Sequence, residues 1–181
     1  MIASQPQHQI PLISHELYQR KLLRESSDCQ TLWTLLDEIK DPEIPAISLW
    51  DLGVLQNIEL DQDSRQVTVT LTPTYSACPA IEMMGDDVKT LLHSHGYTDC
   101  HIKTQLAPAW TTDWISERGR WQLEQYGIAP PKPQNDLTTI VACPQCQSKQ
   151  TRLISEFGST ACKAAYQCDS CGEAFDYFKH F

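Results

Sequence analysis

Val67-Thr68-Val69-Thr70-Leu71-Thr72-Pro73-Thr74-Tyr75-Ser76-Ala77-Cys78-Pro79 is the stretch on which the reading of this chain turns. Val67, Val69 and Leu71 alternate with Thr68, Thr70 and Thr72 in strict period two, the pattern of a strand with one buried face. A proline-marked loop follows, and Pro79 suits the first position of a helix. From there Ile81, Met84, Val88, Leu91 and Leu92 recur at helical spacing until Gly96 closes the run. Strand, loop and helix therefore follow one another directly, with Cys78 at the junction.

Upstream, Val54, Ile58 and Leu60 lie on one face of a preceding strand, and the turn Asp61-Gln62-Asp63-Ser64-Arg65 makes the pair a β-hairpin. Before it, Ser27 followed by Gln30 is a capping-box pattern for a helix carrying Leu32, Trp33, Leu35, Leu36 and Ile39. Asp41-Pro42 must end that helix. Downstream, Cys100, Ile102, Thr104 and Leu106 predict a third strand, and residues 113–126 a last helix closed by Gly127. The order α-β-β-α-β-α predicts an α+β domain over residues 28–127, a small mixed β-sheet packed with helices. Residues 1–27 read as a loose N-terminal arm with a short helical piece at 14–24. Three prolines within Pro130-Pro131-Lys132-Pro133 mark residues 128–139 as a linker to a second domain at 140–181.

The chain has 181 residues, eight cysteines and a formal net charge of −9. The whole imbalance lies in residues 1–127, with 9 Lys+Arg against 18 Asp+Glu, while residues 128–181 hold five of each. An acidic surface repels phosphate backbones, so nucleic acid is not expected as a partner. No apolar run approaches the ~18–20 residues needed to cross a bilayer, so no membrane partner is expected either. The first residues carry no basic-then-apolar leader pattern, and the expected location is cytoplasmic. Thiols stay reduced there, so eight cysteines point to metal or thiolate chemistry rather than disulfides.

Five of the eight cysteines fall between Cys143 and Cys171. Cys143-Pro144-Gln145-Cys146 and Cys168-Asp169-Ser170-Cys171 are two C-x-x-C pairs separated by 21 residues, with Gly172 directly after the second. Two such knuckles complete the tetrahedral sulfur set of a structural Zn²⁺, so Cys143, Cys146, Cys168 and Cys171 predict a zinc ribbon. Iron held by the same thiolates is the alternative. A segment this short with few large apolar side chains folds only with its metal. Cys162 is a fifth cysteine that a four-ligand site does not need. It reads either as a small half-buried residue or as a thiolate helped by Lys163, serving as an extra ligand or transfer group.

Cys78 reads as the N-cap of the helix that Pro79 opens. There the unpaired backbone N–H groups and the helix dipole favour thiolate, so its pKa is expected to fall. The alternative is a cysteine that merely caps the helix, a task Ser, Thr, Asn and Asp perform more often. Asp51 and Thr72 bracket the hairpin at ends expected near Cys78, with ordinary turn and strand chemistry as the equal alternative. His93, His95 and His101 have no ligand at metal spacing, and none is marked as a general base for a thiol enzyme. Trp110, Trp114 and Trp121 read as core, although Trp110-Thr111-Thr112-Asp113-Trp114 carries two indoles and an exposed one there would suggest a binding surface.

Asp41-Pro42-Glu43, Asp51-Leu52-Gly53, Thr72-Pro73-Thr74 and Cys78-Pro79 resemble the small α+β domain of the SufT and MIP-type iron–sulfur assembly factors. Longer runs are similar to the PaaD family of bacterial phenylacetate degradation. They are Pro73-Thr74-Tyr75-Ser76 through Cys78-Pro79-Ala80, Pro108-Ala109-Trp110-Thr111-Thr112-Asp113-Trp114, Gly127-Ile128-Ala129-Pro130-Pro131, Phe157-Gly158-Ser159-Thr160-Ala161-Cys162-Lys163-Ala164, and Phe175-Asp176-Tyr177-Phe178-Lys179. The likeness runs from about residue 30 to the end.

That resemblance implies a protein accompanying the phenylacetyl-CoA ring-epoxidising monooxygenase, a di-iron oxygenase with a flavin and iron–sulfur reductase. It implies a maturation role rather than a share in the epoxidation, with the reductase or oxygenase subunits as partners. The family's conserved cysteine and aspartate fall on Cys78 and Asp51, and its ribbon ligands on Cys143, Cys146, Cys168 and Cys171. The combined expectation is that Cys78, with Asp51 and Thr72 near it and Cys162 as a further ligand, transiently holds iron or an iron–sulfur cluster. A scaffold that only holds the oxygenase subunits together is the alternative, and a homodimer is left open.

Overall fold

The computed structural model describes residues 14–132 and 140–181. Helix α1 (His15–Glu25) opens the described chain, capped by Ser14, whose Oγ accepts from the Leu17 amide at 3.1 Å. Where composition suggests a loose arm, Arg20 pins this helix to the core. Its buried guanidinium donates to the carbonyls of Trp114 (2.6 Å), Leu55 (2.9 Å) and Trp50 (3.3 Å), and lies 4.3 Å from the Trp50 ring centre. Three carbonyls and an aromatic face make a cation tolerable inside.

Helix α2 (Gln30–Leu36) buries Leu32, Trp33 and Leu36. The capping box does not form. Cys29 flanks the helix, while Ser27 Oγ accepts from the Cys29 amide at 3.1 Å and Gln30 Nε2 donates to the Ser27 carbonyl at 3.0 Å. Helix α3 (Leu49–Leu52) is a single turn, started by Ser48 and ended by Gly53 at a φ of 85°. A Cβ on Gly53 would lie 2.8 Å from Trp114 Cβ and 3.1 Å from Trp110 Nε1, so both backbone and space demand glycine.

The hairpin forms as its alternation requires. Strand β1 (Leu55–Leu60) runs antiparallel to β2 (Val67–Leu71), with Ile58 opposite Val69 and Leu60 opposite Val67. After the Cys78 loop, α4 (Ala80–Ser94) leads back to β3 (Cys100–Thr104), which lies parallel to β2, giving the order β1-β2-β3. The sequence predicts one helix over 113–126, and the structure splits it. A 3₁₀ turn at Thr112–Trp114 precedes α5 (Glu117–Gln125), because Ser116 Oγ accepts from the Gly119 amide at 2.9 Å and starts a new helix. Trp110 and Trp114 are core as read, whereas Trp121 is 60% exposed.

The second sheet contains β4 (Ile128–Ala129), β5 (Thr151–Ser155), β6 (Lys163–Cys168) and β7 (Ala174–Phe178) in the order β4-β7-β6-β5. Ile128 and Ala129, which composition places at the start of a linker, form a strand instead. They pair parallel with Asp176 and Tyr177, and both are buried. The prolines colour the composition, but the two apolar residues before them have a hydrogen-bonding edge and a core to enter. The rest of the linker reading, at 133–139, and residues 1–13 of the arm lie outside the described residues.

The ribbon packs onto the first domain. Phe178 and Cys162 belong to the same apolar core as Leu52, Val54, Met84 and Cys78, while Ala129, Val141, Cys143, Cys168 and Phe175 form a smaller core of the ribbon itself. Trp110 joins the two parts: its Nε1 donates to the Leu52 carbonyl at 3.2 Å, and its ring centre lies 5.9 Å from Phe178 and 6.0 Å from Phe181. Among the described residues no helix is long and apolar enough to cross a membrane.

Candidate functional site

Cys143, Cys146, Cys168 and Cys171 converge as their spacing predicts. Their sulfurs lie within 4.8 Å of one another, with Cys143 to Cys171 at 3.8 Å and Cys146 to Cys168 at 3.5 Å. A tetrahedron with metal–sulfur bonds of ~2.3 Å has edges of roughly 3.8 Å, so the donor set fits a tetrahedral ion. The backbone N–H of Cys171, joined by that of Ser170, draws the Cys168 thiol down to about 6, while the neighbouring cysteines push Cys146 up and Cys171 up to about 12, so the four sulfurs hold their protons unevenly. Among the described residues this is the one group of three or more Cys, His, Asp or Glu side chains that converge in this way.

The second site lies at the seam between the domains. Cys78, from the loop between β2 and α4, and Cys162, from the loop between β5 and β6, line one cavity together with Asp41, Glu43, Thr74, Met84 and Phe178. The space has room for about one water, with ~10 Å³ open to a water's centre. Cys78 is 8% and Cys162 4% exposed.

The helix start differs from expectation. Pro79 occupies the N-cap, α4 begins at Ala80, and Cys78 stands one residue further out, with the Ala80 amide directed at its sulfur. The thiol pKa is pushed up, not down, which corrects the expectation from helix position. Burial outweighs the Ala80 amide and the Tyr75 phenol, and the Glu43 and Asp41 charges add to the rise. Tyr75 is itself pushed up to about 12 by burial and by the neighbouring Cys78 and Glu43.

Cys162 is held by the loop that precedes it. Ser159 Oγ donates to Asp176 Oδ2 at 2.7 Å, the Gly158 amide donates to the Lys163 carbonyl at 2.8 Å, and Thr160 Oγ1 lies 3.0 Å from the Cys162 sulfur. A Cβ on Gly158 would come within 2.5 Å of Asp176 Oδ1, which explains the glycine. Lys163 does not serve the thiol as its main partner, since its Nζ sits 3.6 Å from Asp176 Oδ2. Burial raises the Cys162 thiol despite Thr160 and Lys163.

Asp51 and Thr72 are not among the residues lining the cavity. Asp51 is buried and fully engaged: Ser48 Oγ donates to Oδ2 at 2.8 Å, Ser116 Oγ to Oδ1 at 2.6 Å, and Arg118 Nε to Oδ2 at 2.8 Å. These bonds tie α3 to the start of α5. Burial would raise the Asp51 carboxyl, but Arg118, Ser116 and Ser48 hold it below the usual carboxylate range. Thr72 is buried with no hydrogen-bond partner for Oγ1. The carboxylates that do face the thiols are Asp41 and Glu43, which sequence reasoning leaves in an ordinary loop. The signal is the Asp41-Pro42-Glu43 run itself, where Asp41 Oδ1 accepts from the Glu43 and Ile44 amides at 2.9 and 2.8 Å and shapes the cavity wall.

Fold and sites define a class: a thiol-bearing α+β domain with a four-cysteine β-ribbon packed on it. Residues 30–102 match the family model described as iron-sulfur cluster assembly protein, and residues 128–179 that described as PaaD zinc beta ribbon domain. A protein from Escherichia coli (strain K12), named as a putative subunit of 1,2-phenylacetyl-CoA epoxidase, is 47% identical over 151 residues, covering 82% of this chain and 90% of that protein. The chain belongs to this PaaD family. An Fe-S protein maturation auxiliary factor from Porphyromonas gingivalis is 34% identical over 90 residues, 49% of this chain and 84% of that one. A crystal structure of a DUF59 domain of unknown function from Bacillus anthracis aligns with a TM-score of 0.48 and 19% identity, over 59% of this chain and 95% of that chain. The sequence relationships support an accessory role in iron–sulfur assembly, exercised on protein partners.

Proposed function

We propose that this protein is a maturation factor for a phenylacetyl-CoA epoxidase system in aerobic phenylacetate degradation, assisting insertion of an iron–sulfur cluster or iron into the reductase or oxygenase subunit. The observation that carries the reading is Cys78, a soft donor on the loop of an iron–sulfur-assembly domain, at a cavity that completes no ligand set by itself. An incomplete set lets cargo leave. The ribbon, with Zn²⁺ on Cys143, Cys146, Cys168 and Cys171, is structural and shapes the surface offered to the client. Asp51 serves this activity by tying α3 to α5, not by touching the cargo.

The test is anaerobic cluster reconstitution on wild type and on Cys78→Ala, followed by transfer to cluster-free reductase. Visible absorbance and delivery are expected to disappear together in the variant. Equal absorbance and equal delivery would overturn the reading. The scaffold alternative draws on Leu153 and Ile154 of β5 and on Phe157, all exposed at the edge of the ribbon sheet. It requires that Cys78→Ala be harmless while disruption of Trp110 or the ribbon abolishes assembly of the subunits.

A further inference from the structure

We propose that the outer edge of β3 is a homodimer interface, where a second copy of this chain pairs its own β3 antiparallel, centred on His101. The other edge strands of the two sheets are blunted. β1 carries a bulge between Leu55 and Asn57 and has α1 packed against it, β5 carries a bulge between Leu153 and Ser155, and β4 is only two residues long. β3 instead keeps an unbroken register with β2 from Cys100 to Thr104, and among the described residues no strand pairs with its other side. Such an edge offers a row of backbone groups to another strand.

The register decides which strand fits. The Val67 amide donates to the Asp99 carbonyl at 2.9 Å and the Gln105 amide to the Leu71 carbonyl at 2.8 Å, so the odd-numbered residues of β3 turn their peptide groups towards β2. Cys100, Ile102 and Thr104 therefore turn theirs outward, and a second β3 has to set outward residue against outward residue. A two-fold axis at Lys103 opposes that lysine to its own copy, and an axis at Ile102 opposes it to His101. An axis at His101 pairs Cys100 with the copy's Ile102 through the backbone and places Asp99 opposite the copy's Lys103 at both ends. Those are the closer, non-hydrogen-bonded pairs, where opposite charges attract. A lone lysine on an edge repels a second strand, but with Asp99 on the same edge the charges match. Asp99, His101 and Lys103 are all exposed, and the Asp99 carboxylate is held by Gln66 Nε2 at 3.1 Å and His101 Nε2 at 3.0 Å. On the other face of the sheet a groove of about 290 Å³ lies between α4 and β3, lined by Ile81, Gly85 and Ile102 together with Glu82, Asp86 and Lys89. The copy's Cys100 and Ile102 enter beside it. The groove carries both signs of charge, as a surface that meets itself needs.

Sedimentation equilibrium of the zinc-loaded full chain tests the interface. An edge pairing of this size predicts a weak dimer, with a Kd of roughly 10 µM. Lys103→Asp and Asp99→Lys each oppose like charges and are expected to weaken the dimer at least about tenfold. Mixing these two variants sets aspartate against lysine at both ends again, and is expected to restore the dimer as a mixed pair. Wild type that stays monomeric at about 200 µM would overturn the proposal and leave the edge to a strand of another protein. A dimer that survives either charge reversal, or a mixture that does not recover, would overturn it as well. If a variant does not fold, carbodiimide coupling of wild type decides. Within one chain Asp99 and Lys103 stand about 13 Å apart along the strand, too far to couple directly. A Lys103–Asp99 amide joining isotopically light and heavy copies supports the interface, and its absence overturns it.

Discussion

At the ribbon tip four sulfurs lie within 4.8 Å of one another, and two of them, Cys146 and Cys171, are exposed. At the seam two sulfurs, both buried, share a cavity with two carboxylates. The ribbon satisfies a tetrahedral ion by itself, so it can lie at the surface and still retain its metal. Among the described residues the seam brings together no comparable ligand set, and burial pushes both of its thiols up. Completeness suits the first site to a staple, and on the maturation role proposed above incompleteness suits the second to exchange.

The sharpest way to break that contrast is to remove the ribbon metal. Chelation, or Cys168→Ser, should unfold the ribbon sheet, since metal binding and folding are one event worth roughly 10 kcal/mol or more in small zinc modules. Circular dichroism with parallel metal analysis would show it, and a ribbon that keeps its fold without metal would contradict the staple. The first domain, with its own large core, is expected to remain folded.

Trp110→Ala ranks next. The indole fills the join against Phe178 and Phe181 and satisfies the Leu52 carbonyl, so its loss should cost about 3–5 kcal/mol of stability. It should also loosen the two sulfurs at the seam from one another without touching the four at the tip. Thermal unfolding, together with the alkylation rates of Cys78 and Cys162, tests both parts.

Asp51→Asn should cost about 2–3 kcal/mol by removing charge-assisted bonds to Ser48, Ser116 and Arg118. The folded carboxyl binds its proton less readily than the unfolded one. Its stabilisation is therefore complete above about pH 4 and fades as pH falls through the lower folded value. Asp41, raised chiefly by burial, acts in the opposite sense. The difference between wild type and Asp51→Asn in denaturant midpoint should accordingly shrink below about pH 4. A difference that stays constant down to about pH 2 would show that Asp51 contributes by shape alone.

The sequence made the ribbon's metal-ligand set legible, because four ligands at fixed spacing state their own geometry, but not its strand β4, which the prolines after Ala129 disguise as linker. It also showed the hairpin and α4, whose periods of two and 3.6 survive folding unchanged. The seam was half legible. Cys78 stood out at a strand-to-helix junction, but the sign of its pKa shift depends on burial by residues far along the chain, among them Phe178 and Cys162. The distance between Asp51 and the cavity was hidden for the same reason. Its partners Ser116 and Arg118 lie 65 and 67 residues away, and nothing local marks them. Arg20 is the plainest case, since a charge in a polar helix gives no hint that three distant carbonyls await it.

The smallest stability effect belongs to the seam thiols, and it sharpens the comparison most. Serine is close in shape to cysteine, and in Cys162→Ser the new hydroxyl has Thr160 Oγ1 as a partner, 3.0 Å from the present sulfur. The expected cost is about 1 kcal/mol, as usual for a more polar group at a buried but partnered position. The same exchange at Cys168 takes one of four ligands from the ribbon and should unfold it. If the two serine variants, compared by denaturant unfolding of the zinc-loaded protein, lost equal stability, Cys162 would be as structural as the ribbon ligands. A small loss at Cys162 beside a large one at Cys168 is what a site kept for exchange requires, because a group needed only when cargo is present contributes little while it is absent.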